Sequence, residues 1–179
     1  MILSGLAERV FFFFIFLIIA RKYATNQYGE IITVFSLANI FIIFFDFGLP
    51  ALLQKEVSLS GRKASGFLSN VMLISIAFFP IYILSVYFYC LVFYESIPSE
   101  LIIIIALTVY FFSLGNIFSK ALSGLGLFKN IFFSLLVSRI YILIFVVLAL
   151  LIHSPILNEI FLITLSGSAV QIAILYNFT

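Results

Sequence analysis

Six runs of apolar residues alternate with short polar breaks along the chain: Ile2–Ala20, Ile31–Phe47, Phe67–Tyr94, Leu101–Phe118, Ile131–Ile152 and Glu159–Tyr176. A helix needs ~20 predominantly apolar residues to cross a bilayer, and each run approaches or exceeds that length. The third run is long for one crossing, but it holds no charge, so it is expected to form one tilted or kinked span around Pro80 rather than two spans. The pattern predicts an all-α polytopic membrane protein with about six transmembrane helices, forming a single lobe over residues 1–179.

Composition agrees with that reading. Of 179 residues, 65% are apolar and 9% charged, which leaves too little polar surface to cover a globule in water. A soluble enzyme is therefore excluded. The opening run does not read as a signal peptide, because Glu8 offsets Arg9 ahead of it and Arg21-Lys22 replaces a small-residue cleavage site. It is expected to be retained as a first helix. Trp is absent, so any aromatic belt at the headgroups falls to tyrosines such as Tyr23, Tyr28, Tyr94 and Tyr176.

The distribution of cations sets an expected orientation. Lys55, Arg62, Lys63, Lys120 and Lys129 fall in the breaks after the second and fourth runs, whereas the breaks after the first, third and fifth hold only Arg21 and Lys22. Cytoplasmic loops carry the excess of Lys and Arg, so the second and fourth breaks and both termini are expected in the cytoplasm. Glu95, Glu100, His153 and Glu159 would then face outward.

Little enzymatic chemistry is available. There is no phosphate-binding glycine loop, and Gly124-x-Gly126 lacks a third glycine and a preceding strand. One histidine, His153, one cysteine, Cys90, and one aspartate, Asp46, cannot build a metal site or a disulfide, so no cofactor is expected. A net charge of +2 gives no nucleic-acid surface.

Polar residues inside the runs carry more information. Ser36, Asn39 and Asp46 fall within a sector of roughly 80° on the second helix, as do Ser113, Asn116 and Lys120 on the fourth. Thr164, Gly167, Ser168 and Gln171 form a stripe on the sixth at helical spacing. Such stripes either pack helix against helix, as the small-residue series Gly115, Ser119, Ser123 would, or line a wet cavity, toward which Asn39, Asn116 and Gln171 lean. Phe35-Ser-Leu-Ala-Asn-Ile-Phe41 recurs as Phe112-Ser-Leu-Gly-Asn-Ile-Phe118, pairing Asn39 with Asn116. Ionisable groups at membrane depth are costly and face bundle interiors. Glu8 and Arg9 lie in the first helix, and Arg139, about eight residues into the fifth run, is the deepest cation, unless it snorkels to the interface.

Several stretches resemble a known family. Leu17-Ile-Ile-Ala-Arg21, Tyr28-Gly29, Asp46-Phe-Gly-Leu49 and Lys55-Glu-Val-Ser58 look like the opening of the polysaccharide-biosynthesis membrane proteins, the Wzx-type O-antigen flippases of the multidrug/oligosaccharidyl-lipid/polysaccharide exporter superfamily. Ser123-Gly-Leu-Gly-Leu-Phe-Lys129 and Ser138-Arg139 resemble that family's fourth-to-fifth helix region. The resemblance implies a two-lobe exporter of which this chain is the N-terminal lobe, expected to be a fragment or truncated form, or else a half-transporter that pairs with a copy of itself.

The same resemblance implies flipping of undecaprenyl-diphosphate-linked oligosaccharide across the bacterial inner membrane by alternating access. A diphosphate and a hydrated glycan need a shielded polar path through ~30 Å of hydrocarbon. On this reading Arg9, Arg21 and Arg139 meet the diphosphate, and Asn39, Asn116 and Gln171 meet glycan hydroxyls. Asp46 and Lys55 clamp a gate, and Glu8 couples to protons. The implied partners are the lipid-linked oligosaccharide, membrane lipids, and a second lobe or the polysaccharide polymerase and chain-length proteins. A drug or cation antiporter of the same fold, and a non-transporting membrane scaffold, are the alternatives.

Overall fold

The computed structural model describes residues 2–59, 64–94, 97–152 and 157–178, without the side chains of residues 2–8, 64 and 157. These fold into seven helices: α1 (Ile2–Lys22), α2 (Thr25–Asp46), α3 (Leu49–Leu59), α4 (Ala64–Phe93), α5 (Ser99–Gly124), α6 (Phe128–Ile152) and α7 (Leu157–Tyr176). Among the described residues α2 and α4 to α7 are long and apolar enough to cross a membrane, and α1 matches them in length with 21 residues. The six expected crossings are thus six helices, each starting or ending somewhat beyond its apolar run. Pro80 lies inside one continuous 30-residue α4, as the uncharged run predicted.

The lobe is organised around α5. In its most apolar stretch 61% of residues are buried, against 17–39% in the other four spanning helices. It packs against α2, α3, α4, α6 and α7, while α1 lies at the side against α6 and α2. Leu101, Ile102, Ile105, Val109, Ile117 and Leu122 supply the buried faces of α5. Its polar positions are small enough for neighbours to approach closely, which is what drives association where apolar burial alone gives no preference over lipid.

Close approach is concentrated at two glycines. A Cβ on Gly167 of α7 would run into Ile142 of α6, and one on Gly124 would lie 2.8 Å from the Gln54 carbonyl oxygen of α3. Gly115 faces the Gln171 side chain at an ordinary 3.6 Å. The fully buried Tyr82, two residues beyond Pro80, reaches from α4 to the carbonyls of Ala38 on α2 (3.4 Å) and Ala106 on α5 (3.2 Å). Its hydroxyl donates to one or shares its proton between them, tying three helices together.

The helix connections explain two of the sequence signatures. In Asp46-Phe-Gly-Leu49, Phe47 (φ 46°) and Gly48 (φ 71°) are both left-handed, turning the chain out of α2, and Pro50 then sits in the first turn of α3. At the end of α5 the Leu127 N–H donates to the Leu122 carbonyl and Gly126 N–H to that of Ser123, with Gly126 at φ 76°. This is a Schellman closure, and glycine supplies the left-handed residue it requires.

The polar break after the second run is itself largely a helix. Pro50, Leu53 and Val57 of α3 are buried at helical spacing, and Gln54 donates to Ser123 Oγ at 3.1 Å. α3 is therefore docked on the C-terminal end of α5. At the opposite end Asn158 Nδ2 donates to Glu100 at 3.4 Å, and the Tyr23 phenol is held above its usual range by burial and by the nearby Glu159 carboxylate. One end of the lobe thus gathers the starts of α5 and α7 and the end of α1. The other gathers α3 and the α5–α6 turn, with Lys55 and Lys129.

Candidate functional site

The centre of the lobe is aromatic, with one cation set among the rings. Phe12 of α1 meets Phe35 of α2 at 5.9 Å and Phe112 of α5 at 5.4 Å, the latter edge to face. The Arg139 guanidinium lies over the rings of Phe11 (4.9 Å), Phe12 (5.5 Å) and Phe112 (4.9 Å), and the residue is only 5% exposed. Phe12, Phe35, Phe112 and Arg139 each fall within one residue of the midpoint of their helix. The cluster therefore marks the middle of the span.

Arg139 is deeper than its place in the apolar run indicated, because α6 begins at Phe128. It does not snorkel. Its head is enclosed by rings, and its place at mid-helix would cost ~2.5–3.5 kcal/mol by insertion scales. Cation–π contact contributes roughly 0.5–2 kcal/mol, the upper end where water is excluded, so the three rings offset much of that cost.

One turn from the rings lies a polar tier. α1 runs opposite to α2 and α5, so moving three residues back from Phe12 and four residues on from Phe35 and Phe112 leads toward the same end of the lobe. Arg9, Asn39 and Asn116 stand at those positions, on the faces that carry the rings, ~5–6 Å nearer the α3 end. Arg9 and Asn116 are exposed, and Asn39 is half-buried with its amide donating to the Phe35 carbonyl at 2.7 Å. The recurring Phe-Ser-Leu-x-Asn-Ile-Phe heptad is thereby placed. It gives α2 and α5, which run in the same direction, matching aromatic and amide levels.

The other sequence-derived residues whose side chains are described are not brought into this tier. Arg21 is exposed in the last turn of α1, ~13 Å along the helix from Phe12. Gln171 is 6% exposed and lies between α7 and its neighbours, facing Gly115 and accepting from Ser138 Oγ at 3.5 Å. Thr164, Gly167 and Ser168 are buried with it, and the Thr164 and Ser168 hydroxyls donate to carbonyls of their own helix, so this stripe packs helices. Lys55 is exposed on α3, and the side chain of Glu8 lies outside the described residues, as do Arg62, Lys63, Glu95 and His153.

Asp46 sits elsewhere, at the end of α2, in a cleft of ≈320 Å³ including its open mouth, between α2, α4 and α5. Ser75, Tyr110 and Ser113 line the same cleft. Asp46 and Ser113 were singled out from sequence on separate helices, whereas Ser75, Tyr110 and the phenylalanine cluster were not, although the heptad repeat located Phe35 and Phe112. No group of three or more His, Cys, Asp or Glu that could hold a metal ion occurs among the described residues.

Over residues 1–179 the chain matches the family described as polysaccharide biosynthesis protein. The chain belongs to this family. No curated protein and no solved structure matches it. Family membership and the five helices that, among the described residues, are long and apolar enough to cross a membrane make it a multi-pass membrane protein with a transport role in polysaccharide synthesis.

Proposed function

We propose that the chain forms one lobe of a flippase that carries undecaprenyl-diphosphate-linked oligosaccharide repeat units from the cytoplasmic to the outer leaflet of a bacterial inner membrane by alternating access. The observation that carries this reading is the tier of Arg9, Asn39 and Asn116, where a cation and two amides reach one level on three adjacent spanning helices. A guanidinium pairs with diphosphate oxygens, and amides exchange hydrogen bonds with sugar hydroxyls. The rings beside them offer flat apolar faces to a sugar ring or an isoprenoid.

Arg21 would meet the diphosphate at the outer end, and Lys55 and Asp46 would act at the basic end near α3. Arg139 and Gln171, being buried, would act by positioning the helices that carry the tier. Family membership favours a transporter over an enzyme. The excess of Lys at the α3 end favours placing that end, and the N-terminus, in the cytoplasm.

The test is export of the lipid-linked repeat in cells that depend on the full-length protein. Arg9→Ala and Asn116→Ala should each lower export severalfold with unchanged membrane abundance. Normal export in the double variant would reject the tier, and drug efflux without glycan export would assign an antiporter instead.

A further inference from the structure

The end of the lobe that gathers α3 and the α5–α6 turn is apolar where a loop facing water would be polar. Leu52 and Leu59 of α3, Leu125 and Leu127 of the turn and Phe128 at the start of α6 are all exposed, Leu59 by 72%. At ~100° per residue Leu52, Lys55 and Leu59 share a sector of about 60° on α3, on the side away from the buried Pro50, Leu53 and Val57. α3 thus has one apolar face packed on α5 and a second, studded with a lysine, that is open. Its 11 residues are too few to cross a bilayer.

Depth gives the open face its surroundings. The cluster of Phe12, Phe35, Phe112 and Arg139 marks the middle of the span, and Leu122 lies ~15 Å farther along α5, where a hydrocarbon core ~30 Å thick ends. Gln54 donates to Ser123 at 3.1 Å, and a Cβ on Gly124 would lie 3.0 Å from the Val57 side chain, so this part of α3 stands level with the end of α5. Headgroups fill the next ~5–8 Å. Three of the four lysines among the described residues stand in that layer or at its edge: Lys55 and Lys129, both exposed, and half-buried Lys120, whose long stem spans the remaining distance. The described carboxylates at this end, Asp46 and Glu56, are half-buried.

We propose that this surface docks on anionic phospholipid, with Lys55, Lys120 and Lys129 taking headgroup phosphates and Leu52, Leu59, Leu127 and Phe128 lying among the glycerol and upper acyl carbons. Lysines interleaved with leucines at headgroup depth fit a lipid surface, which offers negative charge and hydrocarbon within one layer. An acidic protein outside the membrane would meet the ammonium groups but leave the leucines uncovered. A zwitterionic lipid carries its own cation beside the phosphate, so the surface prefers a headgroup of net negative charge. Because Lys55 belongs to α3, Lys120 to α5 and Lys129 to α6, headgroups seated among them hold α3 against the α5–α6 turn. This docking holds whatever cargo the protein moves.

The test is photolabelling of the full-length protein in vesicles of phosphatidylcholine and phosphatidylglycerol, with a trace of one lipid or the other carrying a photoreactive group next to its glycerol. Peptide mass spectrometry then locates the labelled residues. Per mole of probe, phosphatidylglycerol should label residues 49–59 and 123–129 about three- to tenfold more than phosphatidylcholine, and more so at low salt. Lys55→Gln with Lys129→Gln should bring that ratio close to one while leaving the phosphatidylcholine labelling in place, and Lys55→Arg with Lys129→Arg should retain the preference. Both residues are exposed, so the Gln pair keeps the fold, and the Arg pair checks it. Equal labelling by the two lipids in the parent would overturn the proposal, as would an undiminished preference in the Gln pair. Absence of label from both segments with either lipid would place them outside the headgroup layer, reject the lipid surface and leave a protein as the occupant.

Discussion

Arg139 and Phe112 meet face to cation at 4.9 Å, on helices α6 and α5, at the mid-height of the lobe. The contact couples α6 to α5 and, through Phe11 and Phe12, to α1, which also packs on α6 and α2 and meets α5 through Phe12 and Phe112. A charge that is expensive in hydrocarbon becomes the element that holds three helices in register.

The pair should show coupling in a double-mutant cycle. Arg139→Met keeps the stem and removes the charge, and Phe112→Leu keeps apolar bulk and removes the π face. Unfolding of the lobe should reveal an interaction of ~0.5–2 kcal/mol between the two sites. Additive effects would mean that the rings only fill space around the guanidinium.

Glycines on α5 and α7 should separate by what lies opposite them. Gly167→Ala drives a methyl into Ile142, and Gly124→Ala meets the Gln54 backbone, so each should destabilise by ~1–3 kcal/mol. Gly115→Ala has ordinary contact distances and should be near neutral. Ile142→Val should recover part of the Gly167→Ala loss, whereas trimming the Val57 side chain, 3.0 Å away, should not rescue Gly124→Ala, since the Gln54 carbonyl oxygen stands nearer at 2.8 Å. Thermal midpoints in detergent rank the series.

Tyr82→Phe removes the hydroxyl that reaches Ala38 and Ala106 and leaves the ring in place. Interhelical hydrogen bonds in membranes contribute about 0.6 kcal/mol on average, and both carbonyls belong to helices. A loss near 0.5–1 kcal/mol is expected by equilibrium unfolding. A loss of several kcal/mol would show that this one hydroxyl holds α2, α4 and α5 together.

The spans were legible because a run of ~20 apolar residues has one stable answer in a bilayer, whatever its neighbours. α3 was not, since eleven residues carrying Gln54, Lys55 and Glu56 resemble any polar break until Pro50, Leu53 and Val57 find α5. The heptad repeat was visible but silent, because its meaning depends on α2 and α5 running the same way. Gln171 and Asn116 could not be told apart for a related reason. An amide facing a neighbouring helix and one facing an open side have the same spacing, and only the partner's position distinguishes them. Arg139 was seen as deep, but its enclosure needed Phe11 and Phe12 of α1, far away in sequence.

That distinction yields the sharpest dissociation between folding and transport. Asn116 is exposed and packs against no element that needs it, so Asn116→Leu should leave stability and membrane abundance within error of the parent while lowering export of lipid-linked oligosaccharide. Gln171 is 6% exposed between helices and accepts from Ser138, so Gln171→Leu should lower the thermal midpoint in proportion to any loss of export. A buried polar group that loses its partner typically costs ~1–3 kcal/mol, and replacing Gln171 leaves Ser138 with only its own-helix bond to the Leu135 carbonyl. Measuring midpoint and export on the same two variants separates the roles. If Asn116→Leu unfolds the lobe, or Gln171→Leu blocks export at full stability, the assignment of open and packed faces is reversed, and the substrate path runs along α7 instead of between α1, α2 and α5.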